Sequence, residues 1–217
     1  MTTGFLSRTV HYAGGVARYV VYVPWWYDAA RPLPAIVFLH GRGEEGDDGW
    51  KPVAVGLGPA ILADARRWDF IVIFPQKPAG RAGWGAHRDL VLAALDDTRR
   101  EFAVDASRIY LTGLSMGGTG TWAIGARERH LFAALVPICG GGSVADARRL
   151  ARMPVWCFHG AKDDAVPPDA SRRMVQAMRA AGGNPRLTIY EGVGHGAWER
   201  AYAEPELPAW LLSHARS

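Results

Sequence analysis

Short, continuous apolar runs recur along this chain, and they constrain its fold more than any other feature. Residues 35–39 (AIVFL) and 70–74 (FIVIF) contain no polar side chain, which is typical of strands buried on both faces of a sheet. Residues 8–11 and 16–23 flank a glycine-rich turn and predict an N-terminal β-hairpin. Comparable runs predict further strands at residues 109–112, 133–139, 155–159 and 187–190.

Segments with helical periodicity alternate with these strands. Apolar residues recur with a helical period over 90–102 and 174–181, and residues 182–185 (GGNP) end the second of these helices. Two more helices are predicted at residues 119–126 and 208–214. Alternating buried strands and helices imply an α/β fold, with a mostly parallel sheet that carries helices on both faces.

The length and composition suit one globular domain over residues 1–217. The sequence is 49% hydrophobic and 21% charged, an ordinary balance for a domain long enough to bury a substantial core. No insertion between the predicted elements is long enough for a separate unit. We therefore expect no cap domain, and we expect any active site to be fairly open.

The charge and hydropathy patterns exclude several classes of protein. No apolar run approaches the roughly 20 residues that cross a bilayer, and the first eight residues lack the basic and apolar regions of a signal peptide. We therefore expect a cytoplasmic protein without a membrane partner. The net charge of +4 comes from arginines scattered among acids, in pairs such as 66–67, 99–100 and 172–173. This scatter argues against a nucleic-acid partner.

The two cysteines, Cys139 and Cys157, lie inside apolar runs. Small disulfide frameworks contain more cysteines than this, so we expect two buried thiols. No cysteine or histidine spacing resembles a metal site, and no motif indicates a cofactor. We therefore expect neither a metal nor a cofactor.

A Gly-x-Ser-x-Gly motif, GLSMG at residues 113–117, lies between a predicted strand and a predicted helix. In that setting the motif is a nucleophile elbow, a sharp turn that presents the serine hydroxyl at the carboxyl end of the strand. The two glycines let the strand and helix backbones approach closely. Ser115 is therefore the predicted nucleophile, and the N–H of Met116 is predicted to point at the carbonyl that Ser115 attacks.

A serine nucleophile requires a base and an acid that orients the base. In the α/β-hydrolase fold these follow the serine in the order Asp or Glu, then His. Asp163 and Asp164 follow the predicted strand 155–159, and His195 follows the predicted strand 187–190. These positions lie beyond the carboxyl ends of strands, where open α/β sheets form their sites. We predict His195 as the base and Asp163 as the acid, with Asp164 as the alternative or as a turn residue.

Residues 40–43 (HGRG) directly follow the predicted strand 35–39. The α/β-hydrolase fold supplies its second oxyanion donor from this position. The backbone N–H groups of Arg42 and Met116 are therefore the predicted oxyanion hole. A simple glycine turn is the alternative interpretation.

Two other histidines, His40 and His159, directly end predicted buried strands. For both we expect a buried imidazole that is hydrogen-bonded to the backbone, rather than a catalytic base.

Several side chains on predicted loops are candidates for contact with a substrate. Trp50, Trp84 and Trp198 lie near the predicted site, and aromatic walls suit an acyl or aryl group. One or two of these tryptophans are expected to be ordinary packing instead. Gln76 and Arg42 are candidates for contact with polar groups of a substrate.

Four stretches together resemble a known family: residues 40–46, 109–118 and 137–142, and residues 163–167 with Gly194-His195. From about residue 8 onward, the chain is similar to the small, lidless α/β-hydrolases of the phospholipase/carboxylesterase and dienelactone-hydrolase type. It is most similar to the branch of predicted peptidases and polyhydroxybutyrate-depolymerase-like esterases. The resemblance implies an α/β-hydrolase fold and hydrolysis of small to medium acyl or aryl esters. Dienelactone hydrolases have cysteine at the elbow, so Ser115 argues against that particular activity.

Together, these features predict a serine carboxylesterase that forms an acyl-enzyme on Ser115 and binds a small-molecule ester. A lysophospholipase, thioesterase, feruloyl or acetyl esterase, or peptidase could use the same triad, because the acyl pocket decides among them. A binding protein that keeps the fold without catalysis is the alternative from another class, since a fold does not imply a function.

Overall fold

The computed structural model describes residues 2–216, and its centre is one eight-stranded sheet. The strands are β1 (Gly4–Tyr12), β2 (Gly15–Val23), β3 (Leu33–Leu39), β4 (Ile71–Pro75), β5 (Val104–Leu114), β6 (Ala134–Ile138), β7 (Trp156–Gly160) and β8 (Arg186–Tyr190). Their order across the sheet is β1-β2-β4-β3-β5-β6-β7-β8.

Seven α-helices and four short 3₁₀ turns connect the strands of the described chain. The helices are α1 (Leu57–Ala63), α2 (Arg88–Glu101), α3 (Met116–Arg127), α4 (Val144–Arg149), α5 (Asp169–Ala180), α6 (Trp198–Ala203) and α7 (Leu207–Leu212). The 3₁₀ turns are Arg42–Glu44, Lys51–Ala54, Ala65–Arg67 and Trp84–His87.

The strand directions are those of an α/β-hydrolase. β1 and β2 form the predicted hairpin, in which Tyr12 pairs with Gly15, and β2 is antiparallel to β4. The other neighbouring pairs are parallel. The predicted mostly parallel sheet with an N-terminal hairpin is therefore confirmed. Parallel strands bring their carboxyl ends to one edge of the sheet, which is where such folds form their sites.

Two hydrophobic cores, one on each face of the sheet, hold the helices. Strand β3 contributes side chains to both cores: Val37 and Leu39 lie in one core, and Ile36 and Phe38 lie in the other. Residues of α2, α3, α4 and α5 complete the first core, and residues of α1, α6 and α7 complete the second. This burial on two sides explains why β3 is an unbroken apolar run in the sequence.

The predicted helices are present with different bounds. The helix after the elbow begins at Met116, directly after the turn, and α5 begins at Asp169 and ends before Gly182, which has a φ of +84°. Helices α1, α4 and α6 have only six or seven residues, too few for a clear periodic pattern. Within residues 2–216, no helix combines the length and apolar character needed to cross a membrane.

Candidate active site

The turn between β5 and α3 places Ser115 at the carboxyl edge of the sheet. Ser115 has a φ of +55°, a left-handed backbone conformation that is strained for a residue with a side chain. The first turn of α3 packs very closely on β3. A Cβ on Gly117 would lie 1.9 Å from the Leu39 carbonyl oxygen, so only glycine fits there. This strained, crowded turn is the geometry that the Gly-x-Ser-x-Gly motif predicts.

Ser115, His195 and Asp163, which we call the triad, form one hydrogen-bonded chain. Ser115 Oγ lies 2.9 Å from His195 Nε2, and His195 Nδ1 lies 2.7 Å from Asp163 Oδ2. Because an ionised carboxylate only accepts, Nδ1 carries the proton, and Nε2 accepts the proton of the serine hydroxyl. Ser115 is half-buried and 25% of the His195 side chain is exposed, so both are open to a substrate.

The Asp163 carboxylate is buried on the loop that follows β7. Its Oδ1 accepts the N–H groups of Ala165 at 3.0 Å and of Val166 at 2.8 Å. Burial acts to raise the pKa of this carboxyl, but the bonds from His195 and Val166 outweigh burial and hold the pKa below its usual value. Asp163 is therefore ionised at neutral pH. The alternative acid, Asp164, is exposed, and the carboxylate hydrogen-bonded to His195 is that of Asp163.

A second histidine contacts the same carboxylate. His159 Nε2 lies 3.1 Å from Asp163 Oδ2 and 2.8 Å from the Val166 carbonyl oxygen. Both are acceptors, so Nε2 carries a proton. His159 Nδ1 lies 2.7 Å from the Ser171 hydroxyl, which is 3.1 Å from the Gly140 carbonyl oxygen. The buried imidazole with a backbone bond is confirmed, and the structure adds the contact with Asp163.

Residues 40–46, which we call the oxyanion loop, are fixed by buried polar side chains. His40 is 0% exposed, its Nδ1 donates to the Gly41 carbonyl at 2.6 Å, and its Nε2 accepts the Lys77 N–H at 3.1 Å. Burial lowers the pKa of His40 to about 4, so the imidazole is neutral. The Lys77 ammonium, also 0% exposed, lies 2.7 Å from Glu45 Oε1. The structural role that the sequence predicts for His40 is confirmed.

The backbone N–H groups of Arg42 and Met116 lie on two segments that meet beside Ser115. Met116 is the first residue of α3, where N–H groups have no acceptor within the helix, and Arg42 begins a 3₁₀ turn. Neither N–H has a backbone acceptor among residues 2–216. The two segments are in close contact at Gly41, since a Cβ atom added to this glycine would lie 3.7 Å from the Ser115 Cβ. This arrangement is compatible with the oxyanion hole, which stays a prediction.

Cys139 is buried next to two members of the triad, and one possible ligand atom each from Cys139, Asp163 and His195 lie within 4.8 Å of one another. Burial raises the pKa of the Cys139 thiol to about 12, whereas a metal binds the thiolate. His195 Nδ1 and Asp163 Oδ2 are also already bonded to each other. The cluster therefore does not fit a metal ion. Cys139 and Cys157 are free and buried, as predicted.

Comparison with known proteins decides the family. The model of the dienelactone hydrolase family matches residues 82–206, more than half of the chain. The chain belongs to the dienelactone hydrolase family. Its fold and family are those of hydrolases, which agrees with the resemblance seen in the sequence motifs.

Sequence relatives of this family member include several esterases. A bifunctional acetylxylan esterase/xylanase of Neocallimastix patriciarum is 27% identical over 156 residues, which cover 67% of this chain and 21% of that protein. Acetylxylan esterase A of Emericella nidulans is 28% identical over 145 residues, which cover 59% of this chain and 47% of that protein. The chain thus spans less than half the length of these two relatives.

Solved structures give a similar picture. A thermostable esterase superposes with a TM-score of 0.90 at 32% identity, over 98% of this chain and 63% of that chain. A feruloyl esterase module from Clostridium thermocellum, in complex with sinapinate, has a TM-score of 0.72 at 18% identity, over 95% of this chain and 86% of that chain. The second likeness is one of fold alone.

Two of the predicted substrate contacts are corrected by the structure. Trp84 is 1% exposed, and its indole N–H donates to the His40 carbonyl at 2.9 Å. Gln76 is also 1% exposed; it accepts the Gly49 N–H at 2.5 Å and donates to the Glu44 carbonyl at 2.9 Å. Both side chains are closed to a substrate and support the oxyanion loop instead. Their loop positions do not reveal that the side chains point inward.

The other predicted contacts are accessible. The Trp198 ring packs edge-on against the His195 imidazole, with centroids 5.3 Å apart and planes at 88°. Trp50 is 47% exposed on the segment that follows the oxyanion loop, and Arg42 is exposed within that loop. Contact of these three residues with a substrate stays a prediction.

Two polar contacts that support the site were not predicted from the sequence. His159 contacts Asp163, and the ion pair of Glu45 with the buried Lys77 ties the oxyanion loop to the segment after β4. One signal could have indicated the pair. Lys77 lies two residues beyond a buried strand, and a lysine buried at that position requires a partner of opposite charge.

Proposed function

We propose that this protein is a serine carboxylesterase that hydrolyses small to medium acyl or aryl esters through an acyl-enzyme on Ser115. The observation that carries the proposal is the hydrogen-bonded chain of Ser115, His195 and Asp163 at the carboxyl edge of the sheet. Membership of a hydrolase family and the esterases among its relatives support the same reaction. The proposed reaction requires no metal, cofactor or macromolecular partner.

In the proposed mechanism, Ser115 Oγ attacks the ester carbonyl carbon while His195 Nε2 takes the hydroxyl proton. Asp163 holds the imidazole in the required tautomer and stabilises the imidazolium that forms. The N–H groups of Arg42 and Met116 donate to the oxyanion, and one such donor typically stabilises the transition state by about 3–4 kcal/mol. His195 then protonates the leaving alcohol. A water molecule that His195 activates finally cleaves the acyl-enzyme.

Acetyl or feruloyl esters of carbohydrates are a narrower substrate class within this proposal. Acetylxylan esterases are among the matched relatives. The accessible His195 and the adjacent Trp198 ring suit an acyl group that is attached to a bulky alcohol. Lysophospholipase, thioesterase and peptidase activities would use the same triad, but no contact in the site favours them.

Hydrolysis of p-nitrophenyl esters from acetate to decanoate, with the Ser115→Ala variant beside the natural protein, tests the proposal. We expect the highest kcat/KM with short chains, loss of turnover in the variant, and covalent labelling of Ser115 by a fluorophosphonate. A folded protein without turnover or labelling would support the non-catalytic alternative. Turnover that persists in Ser115→Ala would contradict the mechanism. Release of acetate from acetylated xylan or of ferulate from methyl ferulate then tests the narrower class.

A further inference from the structure

A groove of about 860 Å³ lies at the opposite edge of the sheet from the triad. It is bounded by residues 129–133, 148–154 and 213–216, and we call it the arginine groove. The first two segments directly precede β6 and β7. The groove is therefore at the amino ends of the parallel strands, whereas the triad is beyond their carboxyl ends. A five-residue strand is about 17 Å long, so a ligand in the groove would not touch Ser115.

Basic side chains line this groove, and none of its lining residues is acidic. The basic residues are Arg129, Arg148, Arg149, Arg152 and Arg216, together with His130 and His214. These arginines come from three separate segments of the sequence, so the sequence alone does not show that they meet. The strand order β5-β6-β7 brings the three segments together.

Most of these arginines have no carboxylate partner within residues 2–216. Arg149 lies 4.0 Å from Asp146, and the other four have no carboxylate partner at that distance among residues 2–216. By contrast, the surface arginines Arg99, Arg100 and Arg172 each have an aspartate three residues earlier within 3.0–3.7 Å. Among residues 2–216, the groove therefore concentrates positive charge of which only Arg149, near Asp146, and His130, near Glu128, have a carboxylate within 4.0 Å.

Two buried atoms at the groove also lack hydrogen-bond partners. Arg216 Nε and His214 Nε2 are inaccessible to solvent and have no partner among the described residues. Buried polar atoms without partners are rare because they are costly. The tail that forms this wall therefore carries polar groups that the described part of the chain does not satisfy.

The walls of the groove are held in place before any ligand binds. The Ala133 N–H donates to the Ile109 carbonyl at 2.7 Å, which fixes one wall to β5. The Arg216 N–H donates to the Ser107 carbonyl at 2.8 Å, which fixes the tail to the same strand. A preorganised groove loses little conformational entropy on binding. Little of the favourable energy of its ionic contacts is therefore offset, and the affinity is higher.

We propose that the arginine groove binds a small-molecule anion that carries several phosphate groups. A guanidinium group binds a phosphate through two parallel hydrogen bonds, and five arginines exceed what one phosphate can use. The volume lies in the range of roughly 300–1,000 Å³ that is typical of small-molecule sites. Three walls around a concave space suit a compact oligophosphate better than a nucleic acid, which requires a basic stripe along a surface.

Calorimetric titration of the full chain with inorganic tripolyphosphate, and separately with orthophosphate, tests this site. We expect one tripolyphosphate per chain, bound at least 10-fold more tightly than orthophosphate. The Arg148→Gln/Arg152→Gln variant should weaken tripolyphosphate binding at least 10-fold. The matched control, Arg99→Gln/Arg100→Gln, removes the same charge from paired surface arginines and should change the affinity less than 2-fold. Arg129→Gln provides a second, single substitution in another wall.

Several outcomes would overturn the proposal. Equal weakening in the groove and control variants would mean that only net charge attracts the anion. Equal affinity for tripolyphosphate and orthophosphate, or no saturable binding, would exclude an oligophosphate site. Competitive inhibition of p-nitrophenyl acetate hydrolysis by tripolyphosphate would place the anion at the triad instead. A 20-base-pair DNA duplex that binds more tightly than tripolyphosphate, and loses affinity in the groove variant, would assign the surface to nucleic acid.

Discussion

Polar side chains of the triad contact one another, whereas polar side chains around the oxyanion loop contact the backbone or a buried partner. Asp163 and His195 are joined side chain to side chain, and His195 is partly exposed. His40 and Lys77 are fully buried and hold a loop whose predicted donors are backbone N–H groups. One active site can therefore separate the residues that react from the residues that hold its backbone in place. Substitutions in the triad should reduce activity more than stability, and substitutions around the loop should do the reverse.

Asp163→Asn should give the largest effect on activity. The asparagine amide would present a donor to His195 Nδ1 and His159 Nε2, so the imidazole would lose the tautomer that accepts the serine proton. In another serine hydrolase triad this change lowers kcat about 10⁴-fold, and we expect a similar loss here with p-nitrophenyl acetate. Asp164→Asn is the matched control and should stay within about 2-fold of the natural protein. Equal losses in the two variants would contradict the assignment of Asp163.

Glu45→Gln should give the largest effect on stability. It leaves the buried Lys77 ammonium without its carboxylate, and breaking a buried pair in this way typically costs about 3–5 kcal/mol in the free energy of unfolding. Urea unfolding measures this change. The double variant Glu45→Gln/Lys77→Met removes both charges and should recover most of the loss. A decrease of less than about 1 kcal/mol in the single variant would show that the pair does not hold the loop.

His40 should make stability depend on pH between 6.5 and 4. Burial lowers its pKa from 6.5 to about 4 in the folded chain, so only the unfolded chain takes up a proton in this window. The free energy of unfolding is therefore independent of this protonation above pH 6.5, and it decreases as the pH falls towards 4, by up to about 3 kcal/mol. Urea unfolding across this range should show a flatter dependence for His40→Gln. The same slope in both proteins would mean that other groups cause it.

His159→Leu should give the smallest of these effects, and it falls on activity. It removes one donor from Asp163 Oδ2 but leaves the bond from His195. The loss of such a bond is worth about 1–2 kcal/mol, so kcat should fall roughly 10-fold while KM stays unchanged. His159→Gln keeps an N–H in the side chain and should recover part of the rate. A change in KM alone, or an equal loss in both variants, would argue against a role through Asp163.

The triad could be predicted from the sequence because each member lies on the turn or loop that follows a parallel strand, and parallel strands bring those positions to one edge. The same reasoning predicts the parallel sheet and its hairpin. It fails for Trp84 and Gln76, because the direction of a loop side chain depends on contacts with distant residues, here His40 and Gly49. It also fails for the arginine groove, which exists only once the order of the strands is known.

The positive φ of Ser115 has a consequence for laboratory evolution. A strained non-glycine residue at such a φ destabilises the fold by roughly 1–3 kcal/mol, and glycine adopts this conformation without strain. Ser115→Gly should therefore raise the melting temperature while abolishing the nucleophile. A library selected for heat resistance alone would favour that replacement, whereas a library screened for turnover would reject it. At Ser115, the backbone angle that positions the nucleophile also destabilises the fold, so stability and activity cannot both be maximised at this residue.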